Sequence, residues 1–418
     1  MASLHTALND RLALVFSRRG RGIDGWSVAA IVVALIISAP VVVILGHVFI
    51  PAGEIWAHLA ATVLPRYVYN TIWLFVGVGA GTLVIGVGCA WLVTMCRFPG
   101  VGAFEWALLL PFAVPAYVLA YAYTGLFEFA GPVQTALRET FGWGRHDYWF
   151  PEIRSLGGAI AMMTLVLYPY VYLLSRAAFL EQSVCVLEVS RTLGRGPWRS
   201  FVTVALPLAR PGIVAGLSLA LMETLNDFGT VDYFAVDTFT TGIYRTWLGL
   251  GEAAAAAQLA AIMLLFVFSL VILERWSRRR IRFHHTSIRY RRLPGHRLTG
   301  LRAAGAVAAC LAPILLGFLL PGAALLVWSI ETAEAVIDAR FLGFALNSFT
   351  LATVTSAIAV AVAVVLAYGT RLRRGKLIAS AVRVAGMGYA VPGAVIAVGI
   401  LLVSSEVDNT IDAWLRAS

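Results

Sequence analysis

Charged residues are scarce in this sequence: Asp, Glu, Lys and Arg make up 13% of 418 residues, against about 25% in ordinary soluble domains. Hydrophobic residues reach 60%, more apolar surface than a soluble fold can bury. They fall in blocks of about 20 residues, the length that a helix needs to cross the hydrocarbon core of a bilayer. Because lipid offers backbone groups no hydrogen-bond partner, these blocks are predicted to be helices. The sequence therefore predicts an all-α, polytopic integral membrane helical bundle.

Cysteine, histidine and lysine are also scarce. The four cysteines contain no C-x-x-C pair, so neither a disulfide framework nor a cysteine zinc site is predicted. The histidines are scattered, and their one cluster, His284-His285, lies in an arginine-rich segment that we interpret as a solvated loop. The single lysine, Lys376, lacks the spacing and the Ser/Thr of a phosphate-binding loop. We therefore expect no metal and no cofactor bound by this chain, and any ATP must be hydrolysed by another protein.

The arginines behind the net charge of +10 lie in short segments between the apolar blocks. No aromatic residues are interleaved with them to stack on bases, so we expect no nucleic acid partner. Arginine-rich and arginine-poor segments alternate, which is the positive-inside pattern and predicts a cytoplasmic N-terminus. Nine membrane helices are predicted, at about 27–50, 69–95, 105–128, 157–179, 208–228, 256–274, 303–329, 346–369 and 379–403.

An internal repeat is indicated by a shift of 277 residues, which superposes two unusual patterns. Asn70-Thr71 falls on Asn347-Ser348, each opening a long apolar block, and Ala113-Val114-Pro115 falls on Ala390-Val391-Pro392. Both matches keep the same orientation, so the chain is interpreted as two parallel copies of one helical module, a recurring transporter architecture. Pro115 and Pro392 are predicted to kink equivalent helices around a pore, although simple packing kinks explain them equally well.

The second copy is expected to be incomplete, because it ends at Ser418, before any counterpart of Gly194. The predicted organisation has four parts. They are a cytoplasmic N-terminus with the first membrane helix (1–60), a first module (61–275) with a cytoplasmic loop at 181–210, a basic linker (276–302) and a partial second module (303–418).

The cytoplasmic loop carries the strongest local signal, because apolar residues interrupt a polar, arginine-bearing segment. The pattern predicts a short amphipathic helix, a turn that Gly194 and Gly196 permit, and a second short helix that ends at Pro207. Such a hairpin either docks a soluble partner or lies in the lipid headgroups, and spacing alone does not separate the two.

The loop resembles that of the permeases of binding-protein-dependent ABC importers, the MetI-like superfamily, whose pattern is EAA-x3-G-x9-I-x-LP. The matching residues are Glu188, Gly194, Val204, Leu206 and Pro207, and the two alanines are replaced by Val189-Ser190. The resemblance implies the MetI-like permease fold in the bacterial inner membrane, a coupling loop that includes Ser190, and a dimeric ABC ATPase as partner that uses ATP. It also implies that Glu188 sets the charge of a docking helix and that Gly194 permits its bend.

Within that superfamily the chain is similar to the fused, two-module ferric-iron permeases. The segments that carry this similarity are LEVSRTLGRGPWRSF, LPLARPGI, METLNDFGTVDYF and TFTTGIYRTW. It implies import of ferric iron delivered by a periplasmic binding protein, in a family whose complete members have twelve spans and two coupling loops. The alternatives are another cargo (sulfate, molybdate, thiamine or polyamine), a secondary transporter or channel without an ATPase, and an inactive fragment.

A translocation path is predicted near the outer end of the fifth span, where Glu223, Asn226 and Asp227 lie. Ionisable groups at membrane depth usually face an aqueous cavity, which favours Glu223 as a path-lining residue. Asp227 is equally well explained as an ordinary loop acid.

Two further patterns have a packing interpretation. The closely spaced glycines Gly77, Gly79, Gly81, Gly86 and Gly88 are predicted to allow close helix packing. Tyr117, Tyr121 and Tyr123 are predicted to pack rather than to bind iron, because their surroundings are apolar.

Overall fold

The structure is a computed structural model that describes residues 25–50, 53–182, 192, 196–279, 295–372 and 375–417. It divides into two compact units, one from residues up to Ala39 together with Asp338–Tyr389, and the other from Pro40–Ile337 together with Ala390 onward. Nearly all regular structure is helical, as predicted.

The larger unit holds most of the helices. Its first run of elements comprises the C-terminal part of α1 (Gly25–His47), α2 (Gly53–Thr62), α3 (Leu64–Met95), β1 (Cys96–Arg97), α4 (Val101–Ala107), a 3-10 turn (Leu110–Ala113), α5 (Ala116–Phe127), α6 (Pro132–Phe141) and α7 (Leu156–Leu180). The next run comprises α8 (Pro197–Ser200), a π turn (Phe201–Ala205), α9 (Leu206–Asn226), α10 (Gly229–Tyr233), α11 (Phe239–Tyr244), a π turn (Arg245–Gly249) and α12 (Ala253–Arg279). The last comprises β2 (His296–Arg297), α13 (Leu301–Ile314), a π turn (Leu315–Leu319), α14 (Leu320–Val336) and, after the smaller unit, α17 (Gly393–Ala417).

The smaller unit contains the N-terminal part of α1 with α15 (Ala339–Leu372), α16 (Lys376–Gly386) and most of a 3-10 turn (Met387–Ala390). Its core consists of Ala30, Ala34, Ile378 and Ala381. The ring of Trp26 also lies 6.1 Å from that of Tyr368, between their centroids.

Glycine allows α3 to approach α7 closely, as the sequence predicted. A methyl group added to Gly81 would lie 2.6 Å from the Thr164 side chain, and one added to Gly86 would lie 2.7 Å from Val171 Cβ. Gly77 meets α7 in the same way, whereas Gly88 has open space around it. Small residues therefore set the spacing of this helix pair.

Eight described helices are long and apolar enough to cross a membrane, or nine if one bent pair counts as a single span. This agrees with the predicted number of about nine. The bent pair is Val101–Ala113 with Ala116–Phe141, which turns by 87°. The predicted span 105–128 is therefore a sharply bent pair of helices rather than one helix. The break lies at Pro115, the predicted kink, whose ring and missing N–H interrupt a helix.

The predicted span 379–403 is broken in the same way. The 3-10 turn Met387–Ala390 separates α16 from α17, and the apolar helix that can cross the membrane begins only at Gly393. Pro392 directly precedes that helix, as Pro115 precedes α5.

The secondary structure follows the 277-residue repeat. The shift carries the 3-10 turn Leu110–Ala113 onto Met387–Ala390, and the first residue of α5 onto the first residue of α17. It also carries Met95, the end of α3, onto Leu372, the end of α15. The agreement of these boundaries supports the interpretation of two copies of one module.

Candidate coupling region and translocation path

The predicted coupling loop lies partly outside the described residues, which contain neither Glu188, Ser190 nor Gly194. The other three predicted residues belong to the helical segment that follows the loop. Val204 and Leu206 are half-buried there, and Pro207 is exposed.

Pro207 does not end a helix, so that part of the prediction is wrong. The chain is helical without interruption from Pro197 through the π turn Phe201–Ala205 to Asn226. Leu206 N–H bonds to the Phe201 carbonyl five residues earlier, and this wider turn relieves the clash that a proline ring causes with the preceding turn. The π turn Leu315–Leu319 precedes Pro321 in the same way.

Aromatic rings fix the described end of this region to the neighbouring helices. The Phe201 ring lies 4.3 Å from that of Trp91 in α3, and Trp91 lies 5.8 Å from Phe179 in α7, between ring centroids. Gln182 Nε2 donates to the Ala205 carbonyl at 2.7 Å, which joins the two flanks of the loop. Trp198, 72% exposed, extends the cluster outward. A force on the loop would therefore reach α3, α7 and α9 together.

The same helix α7 holds the broken helix α4 through three polar side chains. The Tyr168 hydroxyl donates to the Leu108 carbonyl at 2.7 Å, and the Tyr172 hydroxyl donates to the Glu105 carbonyl at 3.0 Å. Arg176 forms an ion pair with the Glu105 carboxylate at 2.8 Å. These contacts satisfy carbonyls at the end of α4 that have no partner within that helix. We call Tyr168, Tyr172 and Arg176 the α7 ladder. These contacts were not predicted from the sequence, although the spacing of four residues places the three side chains on one face of the helix.

The three predicted path residues differ in their surroundings. Glu223 is half-buried and has no hydrogen-bond or ion-pair partner within the described part of the chain. Asn226 Oδ1 accepts a hydrogen bond from the Gly393 N–H at the start of α17. Asp227 accepts bonds from the Thr230 N–H at 2.9 Å and the Thr230 hydroxyl at 3.0 Å, so it caps α10. The interpretation of Asp227 as a structural loop acid is thereby favoured.

Both helices that follow the repeated prolines meet the segment after α9. A methyl group on Gly229 would lie 3.1 Å from Tyr117 Cβ in the first turn of α5, and Asn226 contacts the first turn of α17. Glu223 lies one helical turn before this segment. The first turns of two repeat-related helices thus meet the end of α9 and the segment after it, about one helical turn along the chain from Glu223.

The predicted packing role of the tyrosines holds for Tyr123, which is buried and donates to the Leu316 carbonyl at 2.8 Å. Tyr117 and Tyr121 are half-exposed, and the Tyr121 ring lies 6.1 Å from that of Trp328. Within the ranges that the structure describes, no group of three His, Cys, Asp or Glu side chains could hold a metal ion.

At the predicted opening of the second span, Asn70-Thr71 bind the segment before α11. Asn70 Nδ2 donates to the Asp237 carbonyl at 2.8 Å, and the Thr71 hydroxyl accepts from the Phe239 N–H at 3.3 Å. Asn70 lies inside α3 rather than at its start, because Pro65 allows the helix to begin at Leu64.

These features define the class of the protein, a multi-span helical membrane protein in which broken helices converge on a polar segment and one long helix links that region to a loop. Residues 82–283 match the family described as "Binding-protein-dependent transport system inner membrane component". Residues 82–283, just under half of the chain, thus form a domain similar to this family of transport-system membrane components.

Several curated relatives match part of the chain. It is 28% identical over 201 residues to the molybdenum transport system permease protein ModB of Escherichia coli K12, covering 47% of this chain and 85% of the relative. It is 28% identical over 217 residues to the Fe(3+)-transport system permease protein FbpB 2 of Haemophilus influenzae, covering 52% of this chain and 38% of the relative. The sulfate transport system permease protein CysT of Escherichia coli K12 is 31% identical over 157 residues, covering 36% of this chain and 52% of the relative.

Among solved structures, one match is a bacterial ABC transporter involved in the import of the acidic polysaccharide alginate. Its TM-score is 0.45 at 16% identity, and the match covers 55% of this chain and 84% of the other. The match of residues 82–283 agrees with the family that the sequence predicts. Because the relatives include molybdenum, iron and sulfate permeases, they do not single out a cargo.

Proposed function

We propose that this chain is the transmembrane pore subunit of an ATP-driven importer of ferric iron that a periplasmic binding protein delivers. The observation that carries the choice of cargo is Glu223, a half-buried carboxylate with no positive partner among the described residues. A carboxylate that lines a path attracts a ferric cation and repels molybdate or sulfate, and the effect is strong where water is scarce.

The internal repeat supports the same cargo. The 217 residues that match the Fe(3+)-transport relative cover only 38% of it, which leaves room in that protein for a second module. The molybdenum permease, in contrast, is covered to 85% by a match of 201 residues, about half of this chain. The two-copy organisation of this chain therefore fits the iron permease better. An oxyanion cargo is the second candidate, favoured by the 31% identity to the sulfate permease.

Contacts beside the loop support a coupling mechanism. A separate ABC ATPase dimer would bind the loop formed by Glu188, Ser190, Gly194, Val204, Leu206 and Pro207, and would move it when ATP binds. Because Gln182 and Phe201 attach the flanks of the loop to α3 and α7, these helices would move with it. The α7 ladder would pass the motion to α4. The ATPase must bind the inward-facing and outward-facing states with different free energies, since otherwise it could not drive the switch.

Uptake assays in cells that lack the gene test the cargo. Expression of the chain is expected to restore uptake of radioactive iron, and Glu223→Gln is expected to lose most of it. Glu331→Gln, which removes an exposed carboxylate at the end of α14, is the matched control and is expected to transport normally. Restored uptake of molybdate or sulfate, without uptake of iron, would show that the cargo is an oxyanion and not ferric iron. Uptake that persists after deletion of the ATPase would show a secondary transporter.

A further inference from the structure

A two-residue ribbon joins two distant parts of the chain. Cys96–Arg97 pairs in parallel with His296–Arg297, and the register places Arg97 directly opposite Arg297. The Leu298 N–H extends the pairing by donating to the Arg97 carbonyl at 2.9 Å. Residues opposite each other on neighbouring strands project from the same face, so the two arginine side chains leave the ribbon together.

This pair of positive charges has no counter-charge in the described part of the protein. Both arginines are exposed, and none of the ion pairs that the described residues form includes either of them. The adjacent Cys96 thiol adds no negative charge, because burial raises its pKa. Like charges directly opposite each other on paired strands are destabilising. A bound anion would relieve that repulsion.

Glycine at position 295 orders one of the two arginines. A methyl group on Gly295 would lie 2.8 Å from both Cγ and Nε of Arg97. The Arg97 side chain therefore lies across the glycine, in space that any other residue would fill. An arginine held in this way loses less conformational entropy when it binds a ligand.

The ribbon lies between the ends of two candidate membrane spans. One candidate span ends at Met95, immediately before the ribbon, and another begins at Leu301, shortly after it. Two large, exposed apolar side chains follow the two strands in the chain: Trp106 in α4, 74% exposed, and Leu301 at the start of α13, 91% exposed. Tryptophan favours the level of the lipid headgroups. An anion bound between Arg97 and Arg297 would therefore lie at the depth of the lipid phosphates.

We propose that Arg97 and Arg297 form a binding site for the phosphate of an anionic phospholipid, with Trp106 and Leu301 along its acyl chains. The planar guanidinium groups match phosphate oxygens with paired hydrogen bonds. Basic sites between membrane helices bind anionic headgroups by this chemistry. The proposal does not depend on the transported cargo.

Retention of lipid by the purified full chain tests the site. Native mass spectrometry in detergent, with added phosphatidylglycerol or phosphatidylcholine, is expected to show preferential retention of phosphatidylglycerol by the wild-type chain. Arg97→Gln and Arg297→Gln are each expected to weaken that retention about tenfold, as the loss of a charge-assisted hydrogen bond predicts. Arg371→Gln removes an exposed arginine at the end of another candidate span, α15, and is expected to bind like the wild type.

Two further variants separate geometry from net charge. Gly295→Val keeps both arginines but displaces the Arg97 side chain. Arg297→Lys keeps the positive charge but loses the planar guanidinium group and its paired hydrogen bonds. Both variants are expected to weaken the retention of phosphatidylglycerol. Circular dichroism and size-exclusion chromatography identify a variant that fails to fold, and the proposal is then decided by the remaining ones. Equal retention of the two lipids by the wild type, or equal weakening by Arg371→Gln, would overturn the proposal. Competition by inorganic phosphate at concentrations equal to the lipid would show a site for free anions and would overturn it as well.

Discussion

Removal of one hydroxyl group from the α7 ladder, in Tyr168→Phe, tests how α7 holds the broken helix. The Tyr168 side chain is fully buried, and its hydroxyl donates to the Leu108 carbonyl at 2.7 Å. The variant keeps the ring and its packing, but leaves that carbonyl without its donor. A buried polar group that loses its partner costs about 1–3 kcal/mol in soluble proteins. Hydrogen bonds between membrane helices contribute about 0.6 kcal/mol on average and about 1.7 kcal/mol at most. We therefore expect a loss of about 1 kcal/mol in the free energy of unfolding.

Unfolding of the purified chain by sodium dodecyl sulfate in mixed micelles, followed by circular dichroism, measures this loss. Tyr69→Phe is the matched control, because its side chain is 59% exposed near the N-terminal end of α3, and it is expected to be neutral. Tyr172→Phe removes the hydrogen bond to the Glu105 carbonyl. If both hydrogen bonds hold the same segment, the double variant should lose less free energy of unfolding than the sum of the two single losses. Equal stability of Tyr168→Phe and Tyr69→Phe would refute the reasoning.

Three other perturbations test the packing of the larger unit. Gly86→Val is expected to destabilise the chain by about 3 kcal/mol or more, since overpacking at a close helix contact cannot relax, whereas Gly88→Val, with open space around it, should be tolerated in the same unfolding assay. The Cys89 thiol donates to the carbonyl of Ala309, the residue before Cys310, at 3.7 Å, so mild oxidation should link Cys89 in α3 to Cys310 in α13. The two fragments made by proteolysis between them should then stay joined until reduced, and separate fragments would contradict that proximity. Asp227→Ala should cost about 1 kcal/mol, as the loss of a helix cap predicts, and an unchanged unfolding midpoint would exclude the capping role.

Composition and apolar block length sufficed to predict the membrane helices, because burial in lipid depends on little else. They could not locate the break at Pro115, since the 3-10 turn Leu110–Ala113 is as apolar as the helices beside it. Hydropathy does not distinguish a turn packed in apolar surroundings from a helix. The proline was the only local signal, and the sequence alone allowed either a kink or a break there.

The continuation of the helix through Pro207 was missed for a related reason. Proline is a helix breaker in general, but the π turn before it opens the backbone enough to accommodate the ring. Whether a chain breaks or widens at a proline depends on the packing around it. Here Phe201 and Ala205 are buried against neighbouring helices, which holds the helical run together.

The remaining site contacts join residues far apart in the chain. Tyr168 and Leu108 are separated by 60 residues, and the ribbon pairs residues 96–97 with 296–297. Partners at such distances cannot be assigned from one sequence, because the acceptors are backbone carbonyls that every residue carries. The spacing of the donor side chains in α7 indicated weakly that they share a face of the helix. Nothing in the sequence indicated which carbonyls accept from them.

The central claim is that a loop on the cytoplasmic side transmits the work of a separate ATPase to the helices. Sided labelling at position 198 tests it most directly, because Trp198 is the exposed end of the aromatic cluster beside that loop. In a chain without native cysteines, Trp198→Cys would be treated with a membrane-impermeant maleimide in intact cells and in inside-out vesicles. We predict labelling only in inside-out vesicles, with protection when the ATPase is bound. Labelling of the residue in intact cells would contradict the account.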